Sequence, residues 1–192
     1  MPRYTANYAA PYLSTWQRLF KQYKWTAAKR TIVEIGSYEG SSALWFAEHL
    51  LDADGVIYCI DPWSDSEERY KLYCENIAES PHRGKIRTMR ARSFDGLRDL
   101  LAQGVVADLV YVDGSHAAAD VLSDLVLSFR LVRIGGLVLC DDYTWADPRF
   151  GGDDIVGRPK IAIDAFTTIH ARKIRLVRGL PLLQIAFEKT SD

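Results

Sequence analysis

Five acidic residues and a histidine stand where apolar runs of the chain stop. Glu34 lies just before Gly36 in TIVEIG, Asp61 closes VIYCID, Asp113 closes ADLVYVD, and Asp141-Asp142 end LVLCDD. His116 follows Asp113 in the run DGSH. Carboxylates at close range repel one another and raise each other's pKa. A hard divalent cation removes that conflict, and carboxylate oxygens with water suit Mg2+ or Mn2+. A histidine beside such a group titrates near neutrality and can take a proton from a hydroxyl. The plainer reading is that an Asp at a strand end caps the next helix, and that His116 does the same. The adjacent pair Asp141-Asp142, coupled with Asp113-x-x-His116, weighs toward chemistry. His49, His82 and His170 lack such a setting and read as structural or surface groups.

These residues matter only if secondary structure gathers them. Residues 31–36, 56–61, 85–91, 107–113 and 137–141 read as strands, the third an edge strand in which charges alternate with apolar groups. Residues 41–51, 64–78, 93–103, 117–132 and 160–171 read as helices, the first opening on serines suited to an N-cap. Gly135-Gly136 reads as the turn ending the fourth of these helices. Residues 142–157 are rich in Asp and Gly and read as a loop over a site. Residues 173–178 and 182–188 flank Gly179-Leu180-Pro181 as a closing hairpin. Strand–helix alternation predicts a single α/β Rossmann-like, doubly wound domain. Its sheet is mostly parallel and seven-stranded, with a C-terminal antiparallel hairpin and a preceding N-terminal helix. Ligands on such sheets bind beyond the carboxyl ends of the strands, where the acids lie.

The first turn reads Glu34-x-Gly36-x-x-x-Gly40, not the G-x-G-x-x-G that seats a pyrophosphate. Glycines still let a ligand approach the backbone. A Glu ahead of the turn would repel phosphate and pair with an ammonium group, and Asp61 can accept from both hydroxyls of a ribose. An amine partner, a glycine turn and a ribose acid suit S-adenosylmethionine better than NAD.

Taken together, VEIGSYEGSS, YCIDPW, DLVYVDGSH and GGLVLCDDY resemble class I S-adenosylmethionine-dependent methyltransferases. More narrowly, they are similar to the metal-dependent small-molecule O-methyltransferases of the catechol and macrolide-sugar type. The resemblance covers roughly residues 31–188. It implies that Glu34, Gly36, Tyr38, Gly40 and Ser42 line the methionine half of the cofactor and that Asp61 holds the ribose. Trp63 would flank the adenine and Ser93 would contact it; core packing and helix capping are the alternatives for these two. It implies a metal triad of Asp113, Asp141 and Asp142, the last being often Asn in the catechol type. Asp113 counts also among the cofactor contacts and, with His116 as base, as catalytic. Tyr143 and Trp145 would shape the acceptor pocket. The implied reaction is methylation of a hydroxyl on a small molecule, a sugar or a phenol. A metal-independent N- or O-methyltransferase and a non-catalytic S-adenosylmethionine-binding partner module are the alternatives.

The 192 residues carry 24 Lys+Arg against 25 Asp+Glu, a net charge of −1, with 48% hydrophobic and 26% charged residues. That is ordinary globular usage, and it excludes a disordered or fibrous chain. It also argues against a nucleic-acid binder, which would need a cationic surplus. The charge is unevenly spread. Residues 1–30 hold Arg3, Arg18, Lys21, Lys24, Lys29 and Arg30 and no acid, which leaves the remainder at −7. Tyr4, Tyr8, Tyr12, Trp16 and Phe20 recur every four residues there, so residues 1–30 read as an aromatic, basic helical segment ahead of the domain at 31–192. Trp16 and Phe20 read as core, and the tyrosines as a cap over substrate or a homodimer contact. Three scattered cysteines, Cys59, Cys74 and Cys140, fit a reducing compartment. No secretory signal or membrane-length apolar run is seen, so a cytoplasmic protein is expected, without a membrane partner.

Overall fold

The computed structural model describes residues 2–146 and 154–192. By their internal contacts the residues fall into two compact units, Met1–Arg92 and Ser93–Asp192. Residues 1–30, read as a helical segment ahead of the domain, belong to the first unit. The fold is the expected α/β one, with seven strands, mostly parallel, and a C-terminal antiparallel hairpin.

In the first unit, β1 (Thr31–Ile35) pairs in parallel with β2 (Val56–Asp61), and β2 with β3 (Ile86–Arg90). Ile32, Val33, Ile57, Cys59 and Ile60 are fully buried, as strands covered on both faces require. Helix α1 (Leu13–Gln22) follows a short 3-10 turn at Ala10–Tyr12 that carries Pro11. Tyr4 and Tyr8 therefore lie outside any helix. The buried stripe of α1 is Thr15, Trp16, Leu19 and Phe20. Trp16 stacks on Phe46 of α2 (Ser41–His49) at 4.8 Å and meets Trp45 at 5.4 Å, while Arg18, Lys21 and Lys24 face solvent. Lys85 Nζ closes the end of α2 by donating to the carbonyls of Ala47 and Leu51 at 2.9 and 2.6 Å. Helix α3 (Glu67–Glu79) begins two to three residues later than its pattern suggests, because Ser66 is the N-cap and accepts from the Arg69 N–H.

In the second unit, β4 (Ala107–Val112) pairs in parallel with β5 (Val132–Cys140), β5 runs antiparallel to β7 (Ile185–Lys189), and β7 to β6 (Ile174–Leu176). Helices α4 (Ser93–Ala102), α5 (Ala118–Leu131) and α6 (Pro159–Ile169) complete it. Gly135-Gly136 does not form the expected turn. Both lie inside β5, beside a register shift between Ala107 and Leu109. A Cβ on Gly136 would come within 2.9 Å of the Asp108 carbonyl oxygen, so the close approach of the two strands needs glycine. The described part of the loop at 142–157 ends in a 3-10 turn at Ile155–Gly157; residues 147–153 of that expected loop lie outside the described residues.

One buried acid lies apart from the strand ends. Asp124, on α5, is 1% exposed, and among the described residues neither of its carboxylate oxygens has a hydrogen-bond partner. Burial pushes its pKa from 3.8 up to about 7. The folded state thus binds this proton more tightly than the unfolded chain does. The group's contribution to stability is greatest near pH 4 and is lost as pH rises toward about 7. Asp124→Asn should melt about 5 °C or more above the parent at pH 8. Calorimetric scans at pH 8 and pH 4.5 check this, with the difference shrinking at the lower pH. A variant that melts lower at pH 8 would mean the carboxylate is ionised and well solvated.

Candidate active site

The turn after β1 is held from below by β2. Asp61 Oδ2 accepts from the backbone N–H groups of Ser37 and Tyr38, each at 3.0 Å, and Oδ1 accepts from the Trp63 N–H at 2.7 Å. Tyr38 and Trp63 both adopt left-handed backbone angles, φ 46° and 44°. Such residues cost about 1 kcal/mol or more apiece and persist only where their surroundings over-determine them. Here the Asp61 carboxylate does so, and Trp63 Nε1 ties the pair by donating to the Tyr38 carbonyl at 2.7 Å. Burial raises the Asp61 pKa, and the three backbone donors pull the other way.

This geometry changes two expectations. A carboxylate has about four acceptor positions, and Asp61 gives three to the backbone N–H groups of Ser37, Tyr38 and Trp63, so about one is left for an incoming hydroxyl where two were expected. Trp63 is 2% exposed and packs against Tyr70 and Tyr73 at 4.9 and 4.6 Å. It supports the turn and presents no open face to an adenine. The serines of α2 do not cap it either. The N-cap is Gly40 at φ 87°, where a Cβ would meet Tyr73 at 3.2 Å, while the Ser41 hydroxyl donates to Asn7 at 2.6 Å.

Glu34 is fully buried beneath this turn. Its Oε2 accepts from the Ser37 hydroxyl at 2.6 Å, while Oε1 has no partner among the described residues. Burial pushes its pKa up to about 7, against the hydrogen bond from Ser37. A buried carboxylate oxygen without a donor fits a ligand that brings one, such as an ammonium group.

The second constellation lies at the ends of β4 and β5. One carboxylate oxygen each from Asp113 and Asp142 and one ring nitrogen of His116 lie within 4.8 Å of one another. His116 Nε2 is 2.8 Å from Asp142 Oδ2, and the Trp145 ring lies 4.2 Å from the imidazole. Asp113, His116, Asp141 and Asp142, with Val112 and Ile163, line a small cleft. Asp142 reaches its place through a left-handed backbone, φ 57°, which Asp tolerates better than most residues.

Asp141, expected beside Asp113 and Asp142 in a carboxylate triad, turns inward instead. It is 7% exposed; Oδ1 accepts from the Asp142 N–H at 2.8 Å, and Oδ2 accepts from Tyr111 Oη at 2.5 Å and Gln184 Nε2 at 3.0 Å. Burial raises its pKa against those donors. His116 takes the third place around the cleft. Tyr111 also lies 3.1 Å from Asp113 Oδ2, so one phenol bridges the two acids. Neither Tyr111 nor Gln184 was among the expected site residues. Tyr111 carried a signal, since it lies two residues before Asp113 and so on the same strand face; Gln184 carried none. Of the expected acceptor residues, Trp145 reaches the cluster, whereas the Tyr143 hydroxyl donates to Asp164 at 2.7 Å and accepts from Lys160 Nζ at 2.9 Å, away from it. Ser93 opens α4 beside Asp124.

Residues 33–143 match the model of a methyltransferase domain. The chain belongs to the methyltransferase domain family. A flavonoid 3',5'-methyltransferase of Vitis vinifera is 31% identical to this methyltransferase domain over 121 residues, covering 62% of this chain and 48% of that protein. Tricin synthase 1 of Oryza sativa subsp. japonica is 30% identical over 129 residues, covering 64% and 48%. The chain spans about half the length of the curated relatives it matches. Its fold is that of solved methyltransferases. The O-methyltransferase TomG from Streptomyces achromogenes, solved in complex with SAM, superposes with a TM-score of 0.74 at 19% identity, over 96% of this chain and 82% of that one. MycE of the mycinamycin biosynthetic pathway, solved with Mg, SAH and mycinamycin VI, gives 0.64 at 23% identity, over 98% and 51%. Among the described residues of this methyltransferase domain, no helix is long and apolar enough to cross a membrane.

Proposed function

We propose that the chain is an S-adenosylmethionine-dependent O-methyltransferase that methylates a hydroxyl of a small molecule with the help of a divalent cation. The observation that carries this reading is the approach of Asp113, His116 and Asp142 within 4.8 Å at strand ends of a methyltransferase fold. The curated relative ankF and the solved structure of TomG, both O-methyltransferases by name, support the reaction class. The SAM and Mg named for TomG and MycE support the cofactors. The acceptor is a sugar or a phenol, in keeping with the flavonoid methyltransferase among the relatives and with MycE, solved with mycinamycin VI.

Each residue's task follows from its surroundings. Glu34 offers its unpartnered oxygen to the donor's ammonium group, and Asp61 offers its remaining acceptor position to the ribose. S-adenosylmethionine supplies an electrophilic sulfonium methyl group. Asp113 and Asp142 would hold Mg2+ or Mn2+, which lowers the pKa of a bound hydroxyl and orients it. His116 takes the hydroxyl proton, and its contact with Asp142 fixes the orientation of the ring. Trp145 packs at a tilt against that imidazole, with ring centroids 4.2 Å apart. Asp141 and Tyr111 stiffen the ledge from which Asp113 and Asp142 project.

Chelation tests the metal. Activity against a panel of phenols and sugars should fall at least about tenfold with EDTA and return with Mg2+ or Mn2+. Activity that survives chelation would leave the His116–Asp142 pair as a metal-free base.

A further inference from the structure

The residues ahead of α1 make polar contacts that the proposed reaction does not use, and these land on the turn after β1. The Thr5 N–H donates to Glu39 Oε2 at 2.7 Å, and the Thr5 hydroxyl donates to Glu39 Oε1. The same hydroxyl lies 3.3 Å from the phenol of Tyr38. Asn7 accepts from the Ser41 hydroxyl at 2.6 Å, and the Tyr8 ring meets the Tyr38 ring edge-on at 5.3 Å. Asn76 of α3 stitches segment to turn: its Oδ1 accepts from the Arg3 N–H at 2.8 Å, while its Nδ2 donates to the carbonyls of Arg3 at 2.8 Å and Glu39 at 2.9 Å.

Glu39 gives these contacts their weight. It is 2% exposed, although Thr5 itself lies at the surface. A buried carboxylate is tolerated only while donors meet it, and Thr5 supplies a donor to each of its oxygens. If the segment lifts, Glu39 must find water, and it sits between Tyr38 and Gly40 in the turn. Segment and turn are therefore held or released together. Asp61 and Trp63 fix the turn from one side, and Thr5 with Asn76 fixes it from the other.

We propose that the segment Arg3–Tyr8 sets the conformation of the donor-binding turn, with Thr5 acting through Glu39 as a positioning residue for S-adenosylmethionine. This rests on reading residues 34–42 as the donor's turn. It assigns the segment to the donor rather than to the acceptor or to a second subunit. Coupling of this kind is reciprocal, so donor binding must also tighten the segment.

The test uses the full chain, with S-adenosylhomocysteine as the probe. Thr5→Val keeps the backbone N–H and loses the hydroxyl; Thr5→Ser keeps both. In calorimetric titration Thr5→Val should bind the probe about fivefold to tenfold more weakly, and Thr5→Ser within about twofold of the parent. In the parent, the probe should slow hydrogen exchange at the amides of Arg3 and Thr5. In kinetics, Thr5→Val should raise the KM for the donor and leave kcat at saturating donor and the KM for the acceptor unchanged. Parent-like binding by Thr5→Val overturns the proposal, as does a raised acceptor KM with unchanged probe affinity. A parent chain that fails to bind S-adenosylhomocysteine overturns the donor-turn reading itself.

Discussion

Asp142→Ala is expected to lower kcat for hydroxyl methylation about 10³-fold while S-adenosylhomocysteine binds within about twofold of the parent. The carboxylate stands 2.8 Å from the His116 imidazole and within 4.8 Å of an Asp113 oxygen, so its loss would remove a proposed cation ligand and the group proposed to orient the base. His116→Ala should cost a similar factor. The double variant should be little worse than either single one, because the two residues act as a unit. Asp141→Asn gives the contrast. Its carboxylate faces Tyr111 and Gln184, so the change should cost chiefly stability, with kcat lowered by about tenfold at most. Steady-state kinetics, titration calorimetry and thermal melts separate these outcomes. A loss of less than about tenfold in Asp142→Ala would remove this residue from the chemistry.

Asp61→Ala is expected to weaken S-adenosylhomocysteine binding about 100-fold or more and to lower the melting temperature. Three backbone N–H groups, of Ser37, Tyr38 and Trp63, lose a charged acceptor at 2.7 to 3.0 Å. Two of those residues hold left-handed angles that little else would maintain. Asp61→Asn should fall between, since an amide oxygen replaces one carboxylate oxygen while the NH2 opposes the remaining donor. Because the turn depends on this carboxylate for its shape, the loss should exceed that of a single ribose contact. Titration calorimetry reads the affinity, and near-parent binding by Asp61→Ala would show the turn to be self-supporting.

Much of this was legible along the chain. Apolar runs of TIVEIG, VIYCID, ADLVYVD and LVLC must be buried; the last three halt at an acid and the first carries Glu34 just before its closing glycine, so the strands and the acids near their ends could be read together. The stripe of Trp16 and Phe20 announced a buried helix face in the same way. Other features depend on contacts between distant residues. Gly135-Gly136 has the composition of a turn, yet the pressure of the Asp108 backbone puts it inside β5. Ser41 looks like a cap, but Asn7 takes its hydroxyl and Gly40 holds the N-cap position. Trp63 looks like a stacking platform, and Tyr70 and Tyr73 bury it.

The paired acids mark the boundary best. The order of residues determined that Asp141 and Asp142 would stand at a strand end near Asp113 and His116, because hydrophobic burial fixes where a strand stops. It did not determine that they would part. Tyr111, 30 residues away, and Gln184, 43 residues away, draw Asp141 inward, while a left-handed backbone swings Asp142 toward His116. Burial patterns are local and repeat with the element, so they can be read in sequence. The partner of a polar side chain is whichever donor the fold brings within about 3 Å, and only the tertiary structure decides that.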